Sequence, residues 1–207
     1  MSTQTVTVYK KEMSNSTTIV FQADQGTYQE FSNTFPSGIE FQNLVFSTVE
    51  HLYQVLKYRY LDSSYAQVLI ETGFDVSAIE FKKMASKSSY VNWCVAVARK
   101  FVNKYEAARE FDARMEIFKR SICDDLMLLC LLLKFTQNLD LSRLLISTGT
   151  ARLEERGKYS TEYWTNKGAN RLGRLLEDIR NYYLLEEQLA RALENRLFAV
   201  LDQYINH

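Results

Sequence analysis

Seven glycines and one proline in 207 residues constrain this chain more than any other feature of its sequence. Both residue types punctuate secondary structure, and so few of them leave little material for the turns of a β-sandwich or barrel. Helices joined by short loops are the expected solution: a mainly α fold with a few short β-strands near the N-terminus. A hydrophobic share of 46%, rich in Phe (12) and Tyr (13), suffices to bury a core and argues against disorder, and the length favours one domain.

Apolar periodicity predicts helices over 48–60, 65–72, 76–86, 89–110, 113–135, 139–147 and 171–205, with Gly73 and Gly149 as stops. Asp124-Asp125 followed by LMLLCLLL is apolar all round, which reads as a central, buried helix. Residues 18–22 (TIVFQ) and 38–46 (GIEFQNLVF) carry the β-branched and aromatic side chains of short strands. Residues 1–18 are polar and rich in Ser and Thr, which reads as a loose tail or an edge strand. At the other end Leu185, Leu189, Leu193, Leu197 and Leu201 recur every four residues, as in an amphipathic helix. Such a stripe has to be covered, either by the same chain or by a second copy in a homo-oligomer.

The net charge of zero conceals a partition. Residues 1–81 hold 4 basic and 9 acidic side chains, whereas residues 82–120 hold 10 and 4. In that middle stretch Lys82, Lys83, Lys87, Arg99, Lys100 and Lys104 alternate with Tyr90, Trp93, Phe101 and Tyr105, a composition suited to nucleic-acid phosphates and bases. The same residues fit the solvated face of an amphipathic helix, because Glu106, Glu110, Asp112 and Glu116 interrupt the run. Three cysteines without a CxxC pair support neither a disulfide framework nor a zinc ribbon, and two histidines leave little for a His-based metal site. No metal is expected. The N-terminus lacks a signal-type apolar core and the longest apolar run, residues 126–133, is too short to span a bilayer, so a cytoplasmic protein with no membrane contact is expected.

GxGxxG, Walker, GxSxG and HExxH signatures are missing. Polar and aromatic residues instead cluster at element boundaries in three segments: FSNTFPS (31–37), FSTVEHLYQVLKY (46–58), and KFTQNLDLSRLLISTGTARLEE followed by YW and KGANRLGRLLEDIR (134–155, 163–164 and 167–180). Their order and spacing resemble the YbiA-like, or NADAR, family. Phe31-Ser32-Asn33, Thr48, Glu50-His51, Tyr53-Gln54, Lys57-Tyr58, Lys134-Phe135, Gln137-Asn138, Thr148-Gly149, Tyr163-Trp164, Gly168, Asn170, Leu172-Gly173 and Arg180 fall into its register. On that alignment residues 19–183 form the domain, about 88–115 is an insertion, and 184–207 is an extension.

The resemblance implies a mostly helical hydrolase that cleaves a ribose N-glycosidic bond in an ADP-ribosyl or phosphoribosyl substrate: ADP-ribosylated guanine in DNA, or an intermediate of riboflavin synthesis. No cofactor is implied. Such cleavage builds oxocarbenium character on the sugar, which a carboxylate stabilises while a carboxylate also activates water, and cations neutralise the phosphates. By resemblance Glu50 is the catalytic carboxylate and Glu162 the candidate for the second acid. Ser32, Asn33, His51, Lys57, Lys134, Trp164 and Asn170 are the substrate-binding candidates, with Lys57 and Lys134 on phosphate.

Six of these residues also have a plainer reading. Ser47-Thr48-Val49-Glu50 is an S-x-x-E capping box, and Asn170 fits the N-cap of the last helix. His51 fits a satisfied buried histidine, Trp164 a core residue, and Lys57 and Lys134 helix-surface lysines. The chain also departs from the family. Where an Asp usually precedes the aromatic–Trp pair it reads Ser160-Thr161-Glu162-Tyr163-Trp164, the stretch before Gly168 is shortened, and Phe118 stands where the family has a Trp. A catalytically impaired relative that binds an ADP-ribose-type ligand or a macromolecular partner is therefore the alternative. A third reading is an interaction protein working through residues 88–115 and the Leu-striped C-terminus.

Overall fold

Two buried helices carry the architecture. α1 (Val49–Leu61) starts at Thr48, whose hydroxyl accepts the His51 backbone N–H at 3.1 Å, and α6 (Cys123–Gln137) is the continuous apolar segment. They pack against each other, and Leu52, Leu56, Leu126, Cys130, Leu131 and Phe135 are withdrawn from solvent almost completely. The computed structural model describes residues 17–23, 26–73, 76–157, 161–183 and, near the C-terminus, 195, 196, 198–200 and 202. The fold is mainly α, as the scarcity of glycine and proline implies.

α2 (Ser63–Gly73) and α3 (Ala78–Met84) follow α1 closely, and α3 opens with a Ser77/Glu80 capping box. The single helix expected over 89–110 is broken. α4 (Lys87–Asn92) runs into a wide π turn over Trp93–Val97, the chain reverses at Arg99 (φ 51°), and α5 (Lys104–Ser121) restarts from an Asn103 cap. A long-range tie accompanies the break: Lys100 pairs with Asp62 at 2.7 Å while the Tyr90 hydroxyl donates to the same carboxylate at 3.0 Å. The helix expected over 113–135 is likewise two, divided at buried Ile122 (φ −140°), where the sequence holds no breaker. α7 (Leu139–Ser147) stops before Gly149, as expected.

The strands are short. β2 (Ile39–Phe41) and β3 (Leu44–Phe46) form a hairpin whose turn residues Gln42 and Asn43 both take positive φ, 49° and 62°, as a two-residue hairpin turn requires. β1 (Thr18–Phe21) pairs in parallel with β4 (Arg152–Glu155), a strand that periodicity does not predict because only Leu153 and Glu155 are turned inward. α8 (Arg171–Tyr182) lies against β4, and the contact demands Gly173: a Cβ there would stand 2.0 Å from the Leu153 carbonyl oxygen. The polar segment before residue 17 and most of the Leu-striped segment after 183 lie outside the described residues. Within the latter, Arg196 pairs with Asp125 at 2.7 Å and Val200 is buried.

Candidate functional site

Residues four and seven apart share a helix face, and Glu50, Tyr53, Gln54 and Lys57 occupy one stripe of α1. That stripe forms the floor of a cavity of about 400 Å³. Lys82 of α3, Met115, Phe118 and Lys119 of α5, and Cys123 and Met127 of α6 line the sides, with Asn33 at one edge and Thr161, Tyr163 and Trp164 at the other. Tyr53 meets Trp164 edge-on at 6.0 Å, so the aromatic wall is continuous from α1 to the loop before α8.

Glu50 is only 2% exposed. Its carboxylate does not close a capping box: Thr48, not Ser47, is the cap, and Glu50 accepts hydrogen bonds from Asn33 Nδ2 at 2.9 Å and Gln54 Nε2 at 2.8 Å. Lys82 Nζ lies 3.7 Å from the same group. Lys57 donates to Gln54 Oε1, so an ammonium, an amide and a carboxylate form one polarised chain. Burial pulls Lys57 down to about 8, against the opposing pull of Glu50, which leaves it charged at neutral pH.

Of the residues that the sequence put forward, Asn33, Glu50, Lys57 and Trp164 reach this cavity and the others do not. His51, one residue from Glu50, points the opposite way; its Nε2 meets the Val76 carbonyl at 3.2 Å and its Nδ1 the hydroxyls of Thr48 and Ser47 at 2.7 and 2.9 Å. A carbonyl only accepts, so Nε2 bears the proton, and desolvation holds the ring below its ordinary pKa in a neutral, structural state. Ser32 spends its hydroxyl on Thr34. Lys134 is no surface phosphate contact: it is 0% exposed and donates to the carbonyls of Glu30 and Ser32 at 2.6 and 2.8 Å. Burial pulls it down to about 7.

Asn170 occupies the N-cap position of α8, but its side chain makes no capping hydrogen bond and does not line the cavity. It adopts a left-handed conformation (φ 48°) and clasps the β4 backbone, donating to Leu153 O at 2.8 Å and accepting from Glu155 N at 3.2 Å. Glu162 is exposed and outside the lining, although its neighbours Thr161 and Tyr163 belong to it. Its carbonyl is held in a closed turn by Ala169 N at 3.2 Å, and the close packing of that turn demands Gly168, where a Cβ would come within 2.4 Å of the same oxygen. Among the described lining residues Glu50 is the sole carboxylate.

Periodicity did not single out Lys82 or Lys119 for this site, because both come from helices whose relative placement is set by packing. Asp124 stands beside the cavity, where Tyr163 donates to it at 2.7 Å and Arg171 pairs with it. Of the basic stretch, Lys87 is paired with Asp112 and Lys100 with Asp62, while Lys82 faces Glu50. A larger groove of about 930 Å³ under the hairpin is lined by Val45, Leu129, Leu132, Leu133 and Phe198, with Glu40 as the one charged group among its described lining residues. Among the described residues no three His, Cys, Asp or Glu side chains converge, and no helix is long and apolar enough to cross a membrane.

The scaffold that presents Glu50 has counterparts. N-glycosidase YbiA of Shigella boydii serotype 4 (strain Sb227) and N-glycosidase YbiA of Escherichia coli (strain K12) are each 26% identical to this chain over 175 residues, covering 83% of it and 91% of the relative. The NMR structure of the E. coli protein YbiA is similar with a TM-score of 0.52 and 27% identity, covering 86% of this chain and 88% of that one. Residues 10–183, a span that includes every element from β1 to α8, match the NADAR domain, and the chain belongs to that family.

Proposed function

We propose that this protein is an N-glycosidase that hydrolyses the bond between ribose C1′ and a base or amine nitrogen in an ADP-ribosyl or phosphoribosyl substrate. The observation that carries this reading is Glu50, a nearly buried carboxylate that is excused from helix capping and aimed into a cavity by two amide donors. As the C1′–N bond lengthens, positive charge grows on the ribose, and a preorganised carboxylate stabilises it with little reorganisation. The same carboxylate can take a proton from the water that attacks C1′. Lys57, Lys82 and Lys119 place positive charge around the cavity for phosphate, and Trp164, Tyr53 and Phe118 supply the flat wall for a sugar or base.

One observation favours a second reading, a binder without turnover: among the described residues Glu50 has no partner acid in the lining, and Glu162 stays outside it. Assays on ADP-ribosylated guanine and on phosphoribosylamino-pyrimidines, with Glu50→Gln beside the wild type, distinguish the two. Hydrolysis should fall on the order of 10²- to 10⁴-fold in the variant while calorimetric binding of ADP-ribose persists. Full turnover by Glu50→Gln refutes the glycosidase role of Glu50. Wild-type protein that binds ADP-ribose and hydrolyses none of the substrates is the binder.

A further inference from the structure

The turn over residues 29–33 is the only described segment linking α6 to the Glu50 carboxylate by hydrogen bonds. Lys134, in the last turn of α6, grips it from below through the Glu30 and Ser32 carbonyls. Asn33, next in the chain, grips α1 twice: its carbonyl accepts from Glu50 N at 2.8 Å and its amide donates to Glu50 Oε2 at 2.9 Å. The Phe35 and Phe135 rings lie 5.6 and 5.5 Å from the ammonium, and no carboxylate pairs with it among the described ion pairs.

Burying an ammonium is costly, and a leucine or methionine would fill the same space without that cost. What such a side chain lacks is the ability to hold two carbonyl oxygens at once. The Ser32 carbonyl belongs to the peptide plane that also contains Asn33 N, so fixing that oxygen fixes the plane from which the Asn33 side chain departs. We infer that Lys134 is a positioning residue: by clamping the peptide before Asn33 it sets the direction from which the amide holds the Glu50 carboxylate toward the substrate.

This inference rests on the reading of Glu50 as the reacting carboxylate, and its test separates the two. In a double-mutant cycle on hydrolysis, Lys134→Met should lower kcat about tenfold with KM within about twofold, and the Lys134→Met/Asn33→Ala double variant should be no slower than Asn33→Ala alone. A purely structural lysine would give effects that multiply, and that outcome overturns the inference, as does an unchanged kcat in Lys134→Met. If the wild type hydrolyses nothing, the Glu50 reading fails and the cycle is replaced by NMR of the Asn33 side-chain amide. Its resonances should move in Lys134→Met as they do in Glu50→Ala, and resonances left in place overturn the positioning role. Lys134→Gln keeps an N–H donor and substitutes in both measurements should the methionine variant fail to fold; a kcat between wild type and Asn33→Ala, and Asn33 amide resonances between those of wild type and Glu50→Ala, are expected, and no effect overturns it.

Discussion

The cavity has two unlike edges. On one side Phe31, Ser32 and Asn33 are buried, locked by Lys134 beneath and by Glu50 in front. On the other, Thr161, Glu162 and Tyr163 are exposed, and Tyr163, 40% accessible, is tied down by a surface clasp to Asp124, which Arg171 also holds. A hydrogen bond to a charged group is strong where water is excluded and weak where water competes. Orientation of the Glu50 carboxylate therefore belongs to the buried edge, while the exposed edge supplies shape through Trp164. It is also the exposed edge that carries Glu162, the second-acid candidate put forward by the family resemblance.

The largest expected difference between the two edges tests that division directly. Asn33→Ala removes a buried donor to a carboxylate and should lower turnover by roughly 10- to 100-fold, whereas Tyr163→Phe removes an exposed clasp and should change it less than about threefold. Steady-state kinetics on the two variants decide it, and equal losses would erase the distinction between the edges.

Linkage to pH gives the edges opposite signs. Lys134 and Lys57, on the buried side, are pulled down to about 7 and about 8 by burial. Between those values and the ordinary lysine range the unfolded chain binds more protons than the folded one, so stability rises with pH. Cys123, whose thiol lies 3.8 Å from the Tyr163 hydroxyl, is pushed up to about 11 by burial and by Asp124, so above the ordinary thiol pKa the folded state binds more protons and stability falls. Urea denaturation should show wild-type stability climbing by about 2 kcal/mol between pH 7 and 8.5 for a lysine such as Lys134. Lys134→Met should flatten that rise, and an identical slope in the variant would contradict the assignment.

The smallest effect concerns the outer rim. With Lys87 and Lys100 in ion pairs and Lys82 beside Glu50, three of the six cations Lys82, Lys83, Lys87, Arg99, Lys100 and Lys104 are drawn away from a nucleic-acid backbone. Binding of labelled single- and double-stranded DNA should depend weakly on salt, with a log–log slope below about 2. A steep slope that is lost in Arg99→Glu/Lys104→Glu would extend the site beyond the cavity and favour a polymer substrate.

Much was legible before folding. The stripe Glu50, Tyr53, Gln54 and Lys57 follows from helical spacing alone, and the central burial of α6 follows from its uninterrupted apolar run. The family motifs put Asn33, Glu50 and Trp164 forward, and all three meet at one cavity. Lys57 and Lys134, however, look equivalent in the sequence: each sits in a helix and is followed by an aromatic residue. One lies on the cavity and the other clamps a backbone turn behind it. Asn170 and His51 were equally ambiguous, and each went to the scaffold because a long-range carbonyl, Leu153 or Val76, lay within reach.

A long-range tie also accompanies the break between α4 and α5, where Lys100 reaches the Asp62 carboxylate across 38 residues. Spacing along one helix is a local property, set by backbone geometry and readable from neighbours a few positions apart. Which face of that helix meets a cavity, and which polar atom satisfies a buried lysine or histidine, depends on segments distant in the chain. Those atoms come within hydrogen-bond range only after the helices have packed, because side-chain hydrogen bonds act over about 3 Å while the residues that make them are separated by tens of positions.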